Sequence, residues 1–482
     1  ELSARTSSFN ADSLKQVAAK AIGAQRCTRL AKTHEGSFNK IFCLDFDNGA
    51  EVIAKIPCQL WGPPKLATAS EVATMDYART VLNLSVPKVI AWNSDSACKV
   101  GSEYIIMEKA IGTELYHTWR TKTDFKETVR DIIKVDQKFA SHRQRKDVSP
   151  ELQSRPLYAA DSEHAGESGS ERFRIGPFTD WALWRGTHAS VNTFCGPCTW
   201  TDMMSYVRST VEHHQQWIRN YAIPRKTTDP FYTEKDDNLP QSHIELLDRF
   251  VAVLPHILPS PELCVSVFWH ADLHASNVFV ADAPGVPHIT SIIDWQNMHV
   301  LPTPMQIGHA AFDERIEVSD DKVLPQYPPD LNTLPSSEKA SLKVDWAVAG
   351  QQKHYELLFV GPPIHEFSRT WFQGLHRLRR SLIQIQTEWE FLAPGVDYPT
   401  ARFSESEIAA HEEQYQLRMK YEENVAKLEK ALELDADGWV SNEKYKKTLK
   451  LSEWLRTDWD AEEMGGPYPF QDGGKSWLLL EC

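Results

Sequence analysis

Residues Lys40 to Ile56 read KIFCLDFDNGAEVIAKI, two runs of alternating apolar and polar side chains on either side of Asn48-Gly49. Alternation turns one face of each strand toward a core. Asn-Gly suits the two positive-φ positions of a type I′ turn, so the segment predicts an antiparallel hairpin. Working outward, residues 66–82 (LATASEVATMDYARTVL) carry helical periodicity, and VPKVIAW and SEYIIMEKA read as two further strands. Strand, strand, helix, strand, strand within about a hundred residues describes a small α+β lobe.

Beyond that lobe, IGTELYHTW reads as a helix start, and residues 124–220 are mostly helical with an interruption at SEHAGESGS (162–170), a loop composition. A Pro/Asp-rich segment at 223–240 precedes the helix SHIELLDRFVAVLPHI. Two short apolar strands follow, VFV (278–280) and ITSIIDW (289–295), and then a Pro-rich linker, DKVLPQYPPDLNTLPSS (321–337). The C-terminal third is helical. Ser404-x-x-Glu407 is a capping box, Leu417, Tyr421, Val425, Leu428 and Leu432 form an amphipathic stripe, and Asp437-Gly438 supplies a stop.

The 482 residues carry 52 Lys+Arg against 66 Asp+Glu, a net charge of -14, which disfavours nucleic-acid backbones and leaves neutral or cationic ligands easier to accommodate. No apolar run approaches the ~20 residues of a membrane span. The chain opens at Glu1, so a targeting segment removed from the front is an expectation. Eight sparse cysteines read as buried thiols of a reduced, intracellular protein, either cytoplasmic or mitochondrial. Cys195-Gly-Pro-Cys198 has the spacing of a redox dithiol or half a zinc site, but no second pair accompanies it.

The chemistry concentrates in His270-Ala-Asp272-Leu-His274-Ala-Ser-Asn277 and, seventeen residues on, Asp294-Trp295. Phosphoryl transfer needs a carboxylate to take the proton of an incoming hydroxyl and oxygen ligands for Mg²⁺ on the phosphates. H-x-D-x-x-x-x-N supplies a base and an amide on one loop, and an Asp after the next apolar strand supplies the metal carboxylate. Three upstream parts stand in the order this chemistry uses. Lys55 ends the hairpin's second strand, Glu71 follows 16 residues later on the predicted helix, and Glu35-Gly36-Ser37-Phe38-Asn39 opens the hairpin.

These segments, with GSEYIIMEK, SIIDWQNMHVLP and RIGPFTDWALWRG, resemble the aminoglycoside phosphotransferase, or kinase-like, superfamily. Within it they are similar to the fungal group that includes altered inheritance of mitochondria protein nine. The resemblance spans most of residues 10–310 and implies a two-lobed protein-kinase-like α+β fold. It implies a nucleotide-binding N-lobe at 1–110, a C-lobe at 111–320 with the catalytic loop and a helical insertion, and a helical extension at 321–482 packed on the C-lobe. It also implies an ATP/Mg²⁺-dependent small-molecule kinase, GTP being the other candidate nucleotide, that phosphorylates a hydroxyl on a polar acceptor of cationic or aromatic character.

By position, the resemblance makes Asp272 the catalytic base, Asn277 and Asp294 the Mg²⁺ ligands, and Lys55 the phosphate-holding lysine oriented by Glu71. Gly36 and Ser37 would cover the phosphates, the backbone of Glu108 to Ala110 would bind adenine, and His270 would brace the loop. His274 stands either near the acceptor or as a packing residue. The turn has one glycine rather than G-x-G-x-x-G, and Trp-Gln rather than Phe-Gly follows Asp294, which disfavours protein substrates. A nucleotide-binding pseudokinase or mitochondrial assembly factor is the alternative function.

Overall fold

The computed structural model describes residues 8–35, 38–58, 62–119, 202–225, 236–258, 272–283, 286–302, 370–434 and 444–471. It also describes 135, 157–159, 172–176, 179, 181–184, 186–191, 232, 266–268, 270, 440 and 475–476. Gly36, Ser37, the loop 162–170, the Cys195/Cys198 pair, the linker 321–337 and Asp437-Gly438 lie outside the described residues. The chain divides into two compact units, one of 1–185, 195–203 and 260–360, the other of 186–194, 204–259 and 361–482.

In the first unit the hairpin forms as β2 (Asn39–Phe46) and β3 (Glu51–Pro57), paired antiparallel with Cys43 opposite Ile53. Its turn differs from the type I′ expectation. The loop is Asp47, Asn48 and Gly49, closed by Phe46 N–H donating to the Ala50 carbonyl, and of the three only Gly49 has positive φ (79°). Asn48 instead accepts from Ala50 N–H through its side chain (3.0 Å), while Asp47 accepts the N–H groups of Gln25 and Arg26. Those anchors fix Asp47 in the loop and make a three-residue connection the better fit.

Two elements precede the hairpin that its pattern did not announce, α1 (Ala11–Ile22) and β1 (Cys27–Glu35). With β4 (Val89–Asn93) and β5 (Tyr104–Glu108) they complete an antiparallel sheet of order β1-β2-β3-β5-β4. The inward residues Leu44, Val52, Ala54, Ile56 and Ile106 pack on Leu14 and Ala18 of α1, so the far face of the sheet is covered. Strand β1 reads CTRLAKTHE, at the edge of the sheet, and has no clean alternation to betray it.

Helix α2 (Leu66–Thr80) begins at Lys65, whose own side chain makes no cap. Glu103, next to β5, takes that role by accepting from Lys65 N–H (2.9 Å) and Thr68 Oγ1 (2.5 Å), which ties the helix N-terminus to the sheet. The buried face of α2, with Ala73, Met75, Tyr77 and Ala78, packs on Phe268, Val278, Val280, Ile292 and Trp295. One core therefore joins the helix to the strands around Phe268, Val278–Val280 and Ile292.

The segment IGTELYHTW starts as a strand, β6 (Thr113–Glu114), before a short helix at Leu115–Trp119. Strand β6 pairs with β7 (Val278–Ala283), which pairs with β8 (Val286–Ile292). Gly112, just before β6, has φ 101°, and a Cβ there would collide with the carbonyl of Val280, so only glycine lets the chain pass this close.

The second unit is mainly helical among its described residues, with α3 (Met203–Tyr221), α4 (Pro240–Ile257), α5 (His376–Thr387), α6 (Glu405–Ala431) and α7 (Tyr445–Thr457), and one short strand pair, Phe470–Gln471 with Lys475–Ser476. The capping box at Ser404/Glu407 forms with both reciprocal bonds. Tyr421, Val425, Leu428 and Leu432 are buried as the stripe predicts, whereas Leu417 is exposed, and α6 ends at Ala431, ahead of the expected stop, with Glu433 at positive φ. Among its described residues this unit buries five histidines, His188, His213, His214, His243 and His411. The rings of His188 and Trp217 stack at 4.4 Å, and His214 Nε2 lies 3.1 Å from Thr370 Oγ1.

Candidate active site

Lys55 stands on β3 opposite Ile41 and Ile105, its side chain buried in the first unit. Its ammonium lies 2.7 Å from Glu71 Oε1, on the second turn of α2, and 3.2 Å from Asp294 Oδ1. Burial alone would pull the lysine down, but the two carboxylates outweigh it and hold the ammonium above its ordinary range. Burial pushes Glu71 up, against the opposing pull of Lys55. Glu71 Oε2 has no hydrogen-bond partner among the described residues, so the carboxylate depends on its lysine.

Asp294 leaves strand geometry. Strand β8 ends at Ile292 rather than at Trp295, because Asp294 takes φ 61° and turns its carboxylate toward Lys55. Trp295 anchors that turn by burying its ring and donating Nε1–H to the Ile292 carbonyl (2.8 Å).

The loop before β7 is braced by His270, which is buried against the Trp295 ring at 4.7 Å. Asp272 N–H donates to His270 Nδ1 (3.3 Å), so the proton of the neutral ring sits on Nε2 and donates to the Ile293 carbonyl (3.0 Å). Burial lowers the His270 pKa and keeps the ring neutral. One ring thus ties the Asp272 loop to the Asp294 turn, and Ile293 N–H donating to the Asn277 carbonyl (2.9 Å) adds a second tie.

Asp272 is half-exposed, and Oδ2 carries its side-chain bonds. Asn277 Nδ2 donates to that oxygen (3.2 Å) and to the Asp272 carbonyl (2.9 Å), and His274 Nε2 lies 3.5 Å away. Ser276 N–H occupies His274 Nδ1, which turns the Nε2 edge toward Asp272. The His274 bond, set against burial, holds the Asp272 carboxyl below its usual range, so it stays ionised. His274 thus stands directly beside the Asp272 carboxylate, partly exposed. Asn277 is buried with its amide nitrogen on Asp272, which leaves its Oδ1 as the atom offered to a cation.

Glu108 and Ala110 follow at the end of β5. The Glu108 N–H is taken by the Lys88 carbonyl (2.9 Å), and its carboxylate accepts from Lys88 N–H and pairs with Arg79 (3.3 Å), which fixes the backbone at the entry to Ala110. Two residues that motif reading passed over join this cluster. Gln296 Oε1 lies 3.1 Å from Lys55 Nζ and 2.7 Å from Asn39 Nδ2. A glutamine two residues after the metal-type Asp and an asparagine at a strand start have no spacing signal of their own.

The family model for the phosphotransferase enzyme family matches residues 35–313, which hold this whole cluster. The chain belongs to the phosphotransferase enzyme family. A subtelomeric hrmA-associated cluster protein of Aspergillus fumigatus is 27% identical over 90% of this chain and 93% of its own length. Altered inheritance of mitochondria protein 9 of Zygosaccharomyces rouxii is 24% identical over 80% of this chain and 69% of its own. Among solved structures, aminoglycoside phosphotransferase APH(4)-Ia aligns over 79% of this chain and 94% of its own at 13% identity, with a TM-score of 0.38. No helix of the described residues is long and apolar enough to cross a membrane. As a phosphotransferase-family chain it combines a β-rich N-terminal lobe with a helical C-terminal part in the two-lobed α+β kinase-like fold.

Proposed function

We propose that this chain is an ATP-dependent phosphotransferase that moves the γ-phosphoryl group to a hydroxyl of a polar small molecule, with residues 1–110 binding the nucleotide. The observation that carries the reading is the convergence of Lys55, Glu71 and Asp294 within hydrogen-bond distance, tied through His270 to Asp272 and Asn277.

Asn277 Oδ1 and the Asp294 carboxylate make an all-oxygen donor pair, held close by the Ile293 to Asn277 backbone bond, and this chemistry suits Mg²⁺. Asn277 and Asp294 would hold Mg²⁺ there, which would supply positive charge to offset the negative charge developing on the transferred phosphoryl group. Lys55 grips the α/β-phosphates from the other side, and Glu71 keeps its ammonium aimed. The carbonyl of Glu108 and the backbone at Ala110 receive the adenine, and Gly36 and Ser37 cover the phosphates. Asp272 orients the acceptor hydroxyl and takes its proton on Oδ1, while His274 and Asn277 hold Oδ2. A carboxylate kept ionised is available as acceptor across the physiological range, and a positioned base of this kind contributes about 10²–10⁴-fold.

The acidic balance of the chain favours a neutral or cationic acceptor over an anionic one. The relatives named as mitochondrial make the mitochondrion the first compartment to test. Asp272→Asn is expected to cut phosphate transfer by about 10²–10⁴-fold with nucleotide binding kept, and Asp294→Ala to abolish Mg²⁺-dependent nucleotide binding in calorimetry. Full turnover by Asp272→Asn would refute the assignment of the base. Nucleotide binding without transfer to any hydroxyl compound in a broad panel would favour the pseudokinase reading.

A further inference from the structure

The three acceptors named around the Lys55 ammonium differ in kind. Glu71 at 2.7 Å and Asp294 at 3.2 Å are carboxylates, while Gln296 at 3.1 Å is a neutral amide. Lysine only donates, so the Gln296 atom that faces it is the oxygen. The Asn39 atom that faces the same oxygen at 2.7 Å must then be its NH₂. That leaves Asn39 Oδ1 turned away, buried and without a hydrogen-bond partner among the described residues. Asn39 opens β2, three residues beyond Gly36.

An ammonium has three hydrogens, and Glu71, Asp294 and Gln296 all lie within reach of them. A phosphate oxygen that comes to Lys55 competes with these acceptors for its hydrogens. The neutral amide is the weakest holder, because an ionised acceptor makes the stronger bond. Gln296 is also only partly buried, so its side chain can leave without opening the core.

We infer that Gln296 is a displaceable stand-in for a nucleotide phosphate. Its amide oxygen fills a phosphate oxygen's place on Lys55 and ties that place to Asn39 at the start of β2. Arrival of the nucleoside triphosphate displaces the amide and frees Asn39 with it. The inference rests on the proposed phosphotransfer function.

Calorimetric titration of the full chain with ATP and Mg²⁺ tests it by the sign of the change. Gln296→Ala removes the competitor and is expected to bind nucleotide about 3- to 10-fold tighter, the span of one net hydrogen bond. Asn39→Ala removes only the tie and is expected to tighten binding about 2- to 3-fold, which provides a second reading should Gln296→Ala fold poorly. Gln296→Glu, with a third carboxylate on Lys55 and a charge facing the phosphates, is expected to bind at least about tenfold weaker. Unchanged or weaker binding by Gln296→Ala and Asn39→Ala, with wild-type binding intact, makes Gln296 a permanent strut and overturns this inference alone. Absence of wild-type nucleotide binding overturns the phosphotransfer reading and the inference together.

Discussion

In the first unit Lys55, Glu71 and Asp294 are packed together with their charges on, while in the second His188, His213, His214 and His243 are packed together with their charges off. Both clusters lose hydration. A buried ion forfeits several kcal/mol and recovers it only from a close partner of opposite sign. Lys55 has two such partners within 3.2 Å. His188, His213 and His214 have neutral neighbours, Trp217, Thr370 and each other, and burial lowers His188 and His213 to about 4 and His214 well below its ordinary value. His243 falls to about 3, with burial first and Arg225 and Arg379 adding to it, while Asp237 pulls the other way. A group able to lose its charge with a proton does so, and the lysine that keeps its charge does so beside two carboxylates.

The largest expected effect lies in the charged cluster. Lys55→Met strands Glu71 in the core and should cost about 3–5 kcal/mol, as should Glu71→Leu, which leaves Lys55 short of a partner. The double variant should cost clearly less than the sum of the two, because no charge is then stranded. Urea unfolding of the three variants measures this, and additive losses would break the contrast between the clusters.

The histidines should answer to pH. Unfolded, His188, His213 and His243 bind their protons near 6.5, and folded, near 3–4, with His214 lowered in the same direction, so between those values the unfolded chain holds more protons. Stability contributed by neutral burial is complete above pH 6.5 and is lost as the pH falls toward 4, by up to about 3 kcal/mol per ring. Hydrogen exchange at pH 7.5 and 5 is expected to show peptides from 204–258 losing protection before those from 39–57. Earlier loosening of 39–57 would mean that the buried ion pair is the acid-sensitive part.

A smaller effect lies in exposed capping. Ser404→Ala removes the bond to Glu407 N–H and should lower stability by about 1 kcal/mol, read as a modest drop in melting temperature with nucleotide binding unchanged.

The two clusters were not equally legible in the sequence. Lys55 and Glu71 could be paired in advance because the family resemblance implies a strand lysine oriented by a glutamate on the following helix, and Asp272 and Asn277 share one loop. The Asn39 to Gln296 contact spans 257 positions and follows no period, so only the folded chain reveals it. His213-His214 looks like any polar step in a helix, because a neutral buried ring leaves no mark on the pattern around it. The turn at Asp47 departs from the Asn-Gly pattern for a similar reason, since its length is set by the N–H groups of Gln25 and Arg26 more than twenty residues away.

Asp294 holds a left-handed backbone, φ 61°, that costs a residue with a Cβ on the order of 1 kcal/mol and costs glycine almost nothing. Glycine at 294 would therefore relax the turn and remove a half-buried carboxylate in the same step. Under the proposed function that carboxylate would hold the cation, so the substitution that most relaxes the main chain at 294 would also remove the group the proposal depends on.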